Sequence, residues 1–329
     1  EIELERPSPR YPGLEEDESY RLEISTSGIR IQAATETGGL RAVATLAQLL
    51  DESLVLPCLE IADAPRLRWR GLLLDPARHF LPLSALLRTL DGMAACKLNV
   101  LHLHLSDDQG FRLPSAAFRK LPSDLHYSGE ELQTLVDYAA ERGIRVVPEL
   151  DMPGHVNCWL TAYPQWGSGS TTSSDRFGVH QACLDPTSEV VYQAIEQLLA
   201  ELSEYFPDPC IHIGGDEVHP EWWSSDERIG EFMRQRGMAG VADLQNYFNL
   251  RVGEMVKKLG RQVVAWDEVA HEQLPQDWII QAWRGATSRD RVRARGNRVL
   301  MSAPYYLDLH YSAQSYYQFD PAASQQRLI

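Results

Sequence analysis

The sequence predicts an α/β fold, a (β/α)8 TIM barrel preceded by a small α+β domain. Two observations support this prediction. From residue 70 onward, seven short apolar segments alternate with helical patterns, as expected for parallel βα units. Polar and aromatic residues follow these segments one after another, at the ends where such barrels gather functional side chains. A chain of 329 residues is long enough for one barrel and a small second domain.

Residues 1–64 are predicted to form the small flanking domain. Residues 20–24 and 28–32 alternate apolar and polar side chains, like a hairpin with one buried face. Residues 39–50 have helical spacing, and 57–61 resemble a further strand. Two or three strands and one helix are too few for an independent domain, so we expect this one to be partial. The predicted buried stripe of the helix consists of Leu40, Val43, Leu46, Ala47 and Leu50.

Residues 65–329 are predicted to form the barrel, because strand and helix patterns alternate along them. Ser128 and Glu131 form a capping box that opens the second helix. No eighth strand can be placed before Ile329. Since a seven-stranded barrel would leave two exposed edges, we expect the barrel to be truncated before its last strand. The predicted strands are 71–75, 99–105, 145–150, 211–214, 263–266, 279–282 and 299–303. The predicted helices are 82–97, 128–143, 189–206 and 241–259, with a further helix that Gly296 ends.

A doubly wound sheet is the alternative architecture for alternating strands and helices. Such a sheet gathers its functional residues at one switch point, and no Gly-x-Gly-x-x-Gly segment opens this one. A barrel brings the ends of all its strands to one face, which fits the wide distribution of polar residues here. These strand-end residues are Asp75, Arg78, Ser106, Asp107, Asp108, Glu149, Asp151, Asp216, Glu217, Trp266, Asp267, Glu268, Trp283, Tyr306 and Asp308.

The net charge of −15 argues against several classes of partner. No cluster of Lys or Arg offsets it, so phosphate polymers would be repelled and nucleic acid is not an expected partner. No apolar run approaches the ~18 residues of a membrane span, so no membrane association is expected. A neutral or cationic substrate fits this charge, although an acidic surface that only keeps the protein dispersed explains it as well. The oligomeric state and the compartment are left open.

The five cysteines show neither a Cys-x-x-Cys pair nor the spacing of a zinc site. Cys158 and Cys183 flank a segment rich in Gly and Ser and are the one plausible disulfide, a pairing that the sequence leaves open. Cys96 and Cys210 follow apolar patterns and are predicted to be small buried side chains.

The segment 211–219, Ile-His-Ile-Gly-Gly-Asp-Glu-Val-His, is the main candidate for a functional site. Neighbouring side chains on a strand point to opposite faces, so Asp216 and Glu217 can share a pocket only where the chain leaves regular strand geometry. The two glycines permit such an exit. Paired carboxylates suit glycoside hydrolysis, in which one group protonates the leaving oxygen. Considered alone, the two acids could equally well cap a helix or form ion pairs.

Aromatic residues and a histidine accompany the acids at other strand ends. Trp266, Trp283, Tyr305 and Tyr306 could stack on the apolar faces of sugar rings, although packing is the commoner role of an isolated Trp. The repetition at three strand ends favours a sugar pocket. A Pro-Gly turn after the third strand directs His155 back over the same face, beside a strand-end acid.

His102 and His104 support a rival hypothesis. Their His-x-His pattern places both rings on one face of a strand, as in metal-dependent barrel hydrolases. The chain shows no obvious further ligands of matching character, and histidines buried within the layers of the barrel explain the pattern better. No metal site is therefore predicted.

Four multi-residue motifs occur in order along the chain: Asp75-x-x-Arg78-His79-Phe80, Leu101-His102-x-His104-Leu105-x-Asp107-Asp108-Gln109, Asp151-x-Pro153-Gly154-His155 and His212-x-Gly214-Gly215-Asp216-Glu217. Together they resemble the signatures of glycoside hydrolase family 20, the β-N-acetylhexosaminidases. The resemblance covers nearly the whole chain, from the small domain to Tyr306-x-Asp308. It implies an exo-acting retaining enzyme with no cofactor, acting on amino-sugar oligosaccharides or glycoconjugates.

The resemblance also implies a substrate-assisted mechanism, an exception to the two-carboxylate rule. The 2-acetamido oxygen of the substrate would act as nucleophile and form an oxazolinium intermediate. Asp216 would orient the acetamido group and stabilise its positive charge, and Glu217 would be the general acid and then the base. His155, neutral and held by Asp107, would tune Glu217 and keep its proton available near neutral pH.

By the same matching, five residues would bind the sugar. Arg78 would contact the 3- and 4-hydroxyls, Trp266 and Trp283 would line the acetamido pocket, Tyr306 would bind the acetamido oxygen, and Asp308 would reach the outer hydroxyls. Glu149 and Asp151 would support them from behind.

The chain departs from the family pattern at several places. Leu103 and Phe111 stand where relatives often have Trp, and only a local repacking is expected from these two apolar changes. The Trp and Glu of the family's last strand find no counterpart before Ile329. Besides the metal-dependent hydrolase, a sugar-binding barrel without turnover is the non-enzyme alternative. The combination of Asp216, Glu217 and His155 argues against it, since binding alone requires no acid/base pair.

Overall fold

The computed structural model describes residues 1–50 and 55–319, and the chain divides into two compact units. The first contains Glu1–Leu73, Leu81–His102 and Glu130–Val146, and is therefore larger than the predicted flanking domain. The second contains Leu74–Phe80, Leu103–Gly129 and the described residues from Val147 onward. Residues 51–54 of the predicted small domain and 320–329 of the predicted barrel lie outside the described residues. The predicted boundary after residue 64 stays a prediction.

A four-stranded sheet and one helix form the N-terminal part of the chain. Antiparallel pairing places Tyr20 opposite Ala33, which confirms the predicted hairpin, and the first strand runs parallel to the third. Alternate residues of the second strand are buried, so one face of the sheet forms the local core. The elements are β1 (Ile2–Leu4), β2 (Tyr20–Ser25), β3 (Gly28–Ala33), α1 (Glu36–Leu49) and β4 (Leu59–Asp63), and the sheet order is β1-β3-β2-β4.

The predicted stripe of α1 is confirmed only at Leu46, which packs on the local core, and its other four residues are exposed. Leu40, Val43 and Leu50 are 40%, 44% and 43% exposed, whereas Arg41 is almost fully buried. The Nε of Arg41 donates to Oε2 of Glu18 at 2.6 Å, and its Nη2 donates to a backbone carbonyl at 2.8 Å. These partners compensate the burial of the Arg41 charge. The face of α1 that packs inward therefore contains polar and charged residues as well as apolar ones. A hydrophobicity pattern does not reveal such a face.

The second sheet has seven strands that curl into a parallel half-barrel, in agreement with the predicted TIM-barrel class. Each strand pairs with its neighbours in chain order, as the βα repeat of a barrel requires. Both ends of each of the seven predicted strands lie within two residues of the observed ends. The strands are β5 (Gly71–Leu74), β6 (Val100–His104), β9 (Arg145–Glu149), β10 (Cys210–His212), β11 (Gln262–Trp266), β12 (Ile279–Ala282) and β13 (Arg298–Met301). Two short strands, β7 (Ser106–Asp107) and β8 (Gly110–Phe111), form a separate antiparallel pair.

The predicted helices are also present, together with several shorter ones. Every residue of β6 and β9 is buried, as expected for strands covered on both faces. The helices are α2 (Leu83–Ala95), α3 (Gly129–Ala140), α4 (Asn157–Ala162), α5 (Glu189–Tyr205), α6 (Glu221–Ser225), α7 (Glu227–Gln235), α8 (Val241–Lys258), α9 (Ala286–Ala294) and α10 (Ala313–Gln318). The sequence did not predict α4, α6, α7 and α10, because they are short and bury few apolar residues.

All five cysteines are free, so Cys158 and Cys183 do not pair. Cys210 is buried as predicted, but Cys96 is exposed, because it caps the end of α2 beyond the face that packs. Among the helices that the structure describes, none has the length and apolar character needed to cross a bilayer.

Candidate active site

The turn that follows β10 carries the two adjacent acids, and two glycines make this turn possible. Gly214 and Gly215 have φ angles of +68° and +98°, a region that residues with a side chain rarely adopt. A Cβ on Gly214 would lie 1.6 Å from Oδ1 of Asp151, whose carboxylate accepts the N–H of Gly215 at 3.0 Å. The chain therefore leaves strand geometry just before Asp216 and Glu217.

The two acids lie in unequal environments. The side chain of Asp216 is 15% exposed and that of Glu217 is 35% exposed. Burial raises the pKa of Asp216, and its Oδ1 has no hydrogen-bond partner among the described residues. The ring of His155, whose Nε2 lies 3.5 Å from Oε2 of Glu217, lowers the pKa of Glu217. Neighbouring carboxylates that differ in this way can perform different chemical tasks.

His155 links both acids to a third carboxylate. Its Nδ1 lies 3.2 Å from Oδ1 of Asp107, and its Nε2 lies 3.5 Å from Oε2 of Glu217 and 3.8 Å from Oδ2 of Asp216. Burial alone would lower the pKa of His155, but the charge of Asp151, the hydrogen bond to Asp107 and the nearby Glu217 carboxylate raise it well above its usual value. The direction of this shift favours an imidazolium beside a Glu217 carboxylate, whereas the neutral imidazole stays a prediction.

Asp107 joins this histidine to the arginine of the site. Its Oδ2 lies 2.9 Å from Nε2 of His104 and 2.8 Å from Nη2 of Arg78. Burial would raise the pKa of Asp107, but the hydrogen bonds from His104 and His155 lower it strongly. Arg78 also donates to Asp75 at 2.6 Å and remains 31% exposed, so two carboxylates fix its guanidinium at the rim of the site.

Glu149 is a second buried carboxylate that holds several donors. It lies 2.8 Å from Nδ1 of His104 and 3.1 Å from Nδ1 of His212, and it accepts the indole N–H of Trp266 at 2.8 Å. Both ring nitrogens of His104 therefore face carboxylates. Burial opposes the charged ring, but Glu149 and Asp107 raise the pKa of His104 well above its usual value. Both nitrogens of His104 are thus engaged by carboxylates, and the metal hypothesis built on His102 and His104 stays a hypothesis.

Several groups of acids and histidines are nevertheless close enough to hold an ion, such as Asp107, Asp108 and His155. Asp108 is already engaged, because its two oxygens accept the N–H groups of Asn157 and His180 at 2.9 and 3.2 Å. Asp107 and His155 are joined by a hydrogen bond. A further group, His102, Glu149 and His212, has ligand atoms that all lie within 4.8 Å of one another, so His102 has two possible further ligands beside it.

The aromatic residues form two different environments. Trp266 is buried, with its ring edge-on to His212 at a centroid distance of 4.8 Å. Trp283 and Tyr306 lie together, with centroids 6.3 Å apart, and the indole N–H of Trp283 has no partner among the described residues. Burial and the nearby charge of Asp216 raise the pKa of Tyr306. Two predicted pocket aromatics thus meet beside the acids.

The segment after β13 carries the remaining predicted residues. Asp308 is exposed on the turn Leu307–Leu309, close enough for its charge to act on Tyr306. Tyr305 stacks on Tyr316, with centroids 6.4 Å apart, and so belongs to a separate aromatic cluster.

Three residues of the network received no role in the sequence analysis. Asp75 and Glu268 were only noted as strand-end acids, and His104 was assigned to the layers of the barrel. For Asp75 and Glu268, their position at the end of a predicted strand was the feature of the sequence that could have indicated a role in the site. Asp75 and His104 each have a partner three residues further along, Arg78 and Asp107, so spacing offered a signal for these two. The partner of Glu268 is 51 residues away, and spacing could not identify it.

The chain matches two family models along most of its length. The model described as glycosyl hydrolase family 20, catalytic domain, matches residues 67–327, and the model described as glycosyl hydrolase family 20, domain 2, matches residues 6–64.

Curated relatives match almost the whole chain. The beta-hexosaminidase subunit beta of Homo sapiens is 33% identical over 97% of this chain and 61% of its own length. The protein of the same name from Entamoeba histolytica is 35% identical over 92% of this chain and 57% of its own length. The chain thus spans about three fifths of the length of these curated relatives.

A solved structure, the chitobiase of Flavobacterium johnsoniae, superposes with a TM-score of 0.94 at 36% identity. The superposition covers 99% of this chain and 52% of that one. The β-N-acetylhexosaminidase of Streptomyces coelicolor gives a TM-score of 0.77 at 29% identity, over 92% of this chain and 62% of that one.

Proposed function

The chain belongs to glycosyl hydrolase family 20, and from this premise we propose that it is an exo-acting, retaining β-N-acetylhexosaminidase. It removes terminal non-reducing N-acetylglucosamine or N-acetylgalactosamine from oligosaccharides or glycoconjugates. The observation that supports this most directly is the unequal pair of neighbouring acids, with the Asp216 side chain 15% exposed and that of Glu217 35% exposed.

The proposed reaction proceeds in two steps with the substrate as nucleophile. The acetamido oxygen attacks the anomeric carbon while Glu217 protonates the leaving glycosidic oxygen. An oxazolinium forms, and Asp216 accepts a hydrogen bond from its N–H and stabilises its charge. Water, deprotonated by Glu217, then attacks the anomeric carbon from the face that the aglycone left. Two inversions give net retention and return the proton to Glu217.

The proton for the first step is held between His155 and Glu217. The raised pKa of His155 and the lowered pKa of Glu217 favour its residence on the ring before substrate arrives. A sugar bound over Glu217 removes water from that carboxylate, which raises its pKa. The proton then moves to the carboxyl, where the glycosidic oxygen can receive it.

The remaining predicted residues form the walls of the pocket. Arg78, fixed by Asp75 and Asp107, offers its remaining N–H groups to the sugar 3- and 4-hydroxyls. Trp266 and Trp283 enclose the acetamido methyl group, and Tyr306 donates its hydroxyl to the acetamido oxygen. Asp308 accepts from the outer hydroxyls.

The decisive experiment measures hydrolysis of a chromogenic N-acetylglucosaminide and of a natural disaccharide by the wild type, Glu217→Gln and Asp216→Asn. A general acid contributes roughly 10²–10⁴-fold, so Glu217→Gln should lose at least ~100-fold on the disaccharide. Asp216→Asn should lose activity on both substrates, because the oxazolinium forms in either case.

Two outcomes would contradict the proposal. One is a wild type that releases no sugar from either substrate while it binds N-acetylglucosamine, which would favour the sugar-binding alternative. The other is a Glu217→Gln variant that loses less than ~10-fold on the disaccharide, since that is below the range of a general acid.

A further inference from the structure

The three-residue turn Asp267–Val269, which directly follows β11, lies against the segment that carries the two acids. The N–H of Trp266 donates to the carbonyl of Gly214 at 3.0 Å. The segments that contain β10 and β11 therefore continue to pair beyond the end of β10. A Cβ on Gly215 would lie 2.4 Å from Cγ1 of Val269. The turn therefore packs directly on the backbone that leads into Asp216 and Glu217.

Glu268 makes the next contact along this path. Its Oε2 accepts the backbone N–H of Glu217 at 3.2 Å. That N–H belongs to no helix or strand, so it depends on a side chain for a partner, and Glu268 supplies one. The contact joins two acids that are 51 residues apart in the sequence.

The backbone of Glu217 requires such support. Its φ angle is +46°, in the left-handed region that residues with a Cβ rarely occupy. A residue stays in this region only when its surroundings fix it. Because the Cα–Cβ direction follows from the backbone angles, the same contact determines where the carboxyl of Glu217 points.

The carboxylate of Glu268 is itself restrained. Burial raises its pKa, the charge of Arg284 opposes this effect, and Asp216 adds to it. Arg284 is held in place by Asp267, whose Oδ1 accepts its Nε–H at 2.8 Å. Glu268 is thus a half-buried group subject to the charges of an acid and an arginine, and its Oε2 is engaged by the N–H of Glu217.

We propose that Glu268 is a positioning residue that aims the carboxyl of Glu217 at the glycosidic oxygen. The inference rests on the proposed function. Proton transfer requires the acid within ~2.6–3.2 Å of the oxygen, and a misplacement of ~1 Å can reduce the rate by ~100-fold. Loss of Glu268 should therefore weaken protonation of the leaving group and leave attack by the acetamido oxygen largely intact.

The test compares two substrates in the full chain, one whose leaving group requires protonation and one whose leaving group does not. These are a natural N-acetylglucosamine disaccharide and the 2,4-dinitrophenyl N-acetylglucosaminide. For Glu268→Ala we expect kcat/KM on the disaccharide to fall at least ~10-fold further than on the aryl substrate, because a general acid is worth ~10²–10⁴-fold only where protonation is needed. Glu268→Gln keeps an acceptor oxygen and should recover most of the difference.

Two further variants complete the experiment. Glu268→Asp keeps the charge but shortens the side chain by one methylene, so it should show the same substrate-dependent loss even if Glu268→Ala does not fold. Glu272→Ala removes an exposed acid four residues further along and should change neither substrate.

An equal loss on both substrates would identify a structural role for Glu268 and overturn the inference, as would no loss in Glu268→Ala and Glu268→Asp. A wild type inactive on both substrates would overturn the proposed function instead. The two failures are therefore distinguishable.

Discussion

The Nε2 atom of His155 lies 3.5 Å from Oε2 of Glu217, and the two groups have opposite pKa shifts. The pKa of the ring is raised and that of the carboxyl is lowered, and both directions favour a proton on the ring over one on the carboxyl. A bound sugar that excludes water from the carboxylate would reverse this preference. The proposed general acid is therefore a histidine–carboxylate pair whose proton moves when substrate binds.

Asp107→Asn should shift the pH profile of kcat/KM. Removing this carboxylate takes away an anionic hydrogen-bond partner of the imidazolium, so the apparent pKa of the acid falls. The enzyme then loses its proton at lower pH, and the alkaline limb moves down by about 1–3 pH units, the usual effect of an adjacent opposite charge. The profile is measured with the disaccharide, which needs protonation.

The exposed Asp175→Asn variant is the control and should leave the profile in place. An alkaline limb that stays unchanged in Asp107→Asn would show that His155 does not share the catalytic proton.

Arg78→Lys should raise KM at least ~10-fold while kcat falls less, because contacts to remote hydroxyls act in the ground state as well as in the transition state. A lysine ammonium cannot reproduce the planar fork that bridges Asp75 and Asp107. Steady-state kinetics and inhibition by N-acetylglucosamine measure the effect. Arg228→Lys alters an arginine that is paired with Asp185 and is the control, so its KM should stay unchanged. If Arg78→Lys lowers kcat and leaves KM unchanged, the assigned role of Arg78 is contradicted.

Gly214→Ala should abolish activity and cost several times more stability than Gly260→Ala. The two glycines have φ angles of +68° and +71°, so both substitutions incur the left-handed penalty of about 1–2 kcal/mol. At Gly214 the added Cβ would also clash with Oδ1 of Asp151, which lies 1.6 Å from its position. At Gly260 no atom lies within 4 Å of the added Cβ, so that variant has no such clash. Urea unfolding of the two variants gives the comparison, and equal losses would contradict the close approach.

Glu18→Gln should destabilise the N-terminal part of the chain by about 3–5 kcal/mol, the usual effect of removing one partner of a buried ion pair. Glu18 and Arg41 are 6% and 4% exposed, and Glu18 also accepts from Arg70 at 2.6 Å. Urea unfolding measures the loss. Glu23→Gln, at an exposed position of β2, is the control, and similar losses in both variants would refute a special role for Glu18.

The sequence by itself determined the class of the fold and the position of the acids. Seven apolar segments alternating with helices predicted the strands, because alternation along the chain is a local property that hydrophobic periodicity records. The two glycines before Asp216 and Glu217 marked the departure from strand geometry, which the positive φ angles of the structure explain.

Only the tertiary structure decided which charge of His155 is favoured, the contact from Glu268 to Glu217 and the inward face of α1. The charge depends on burial and on carboxylates brought from several strands, and the contact joins residues on neighbouring strand ends. The inward face of α1 depends on Glu18, which pairs with Arg41 from outside the helix. Desolvation and charge act through space, and the order of residues along the chain does not record those distances.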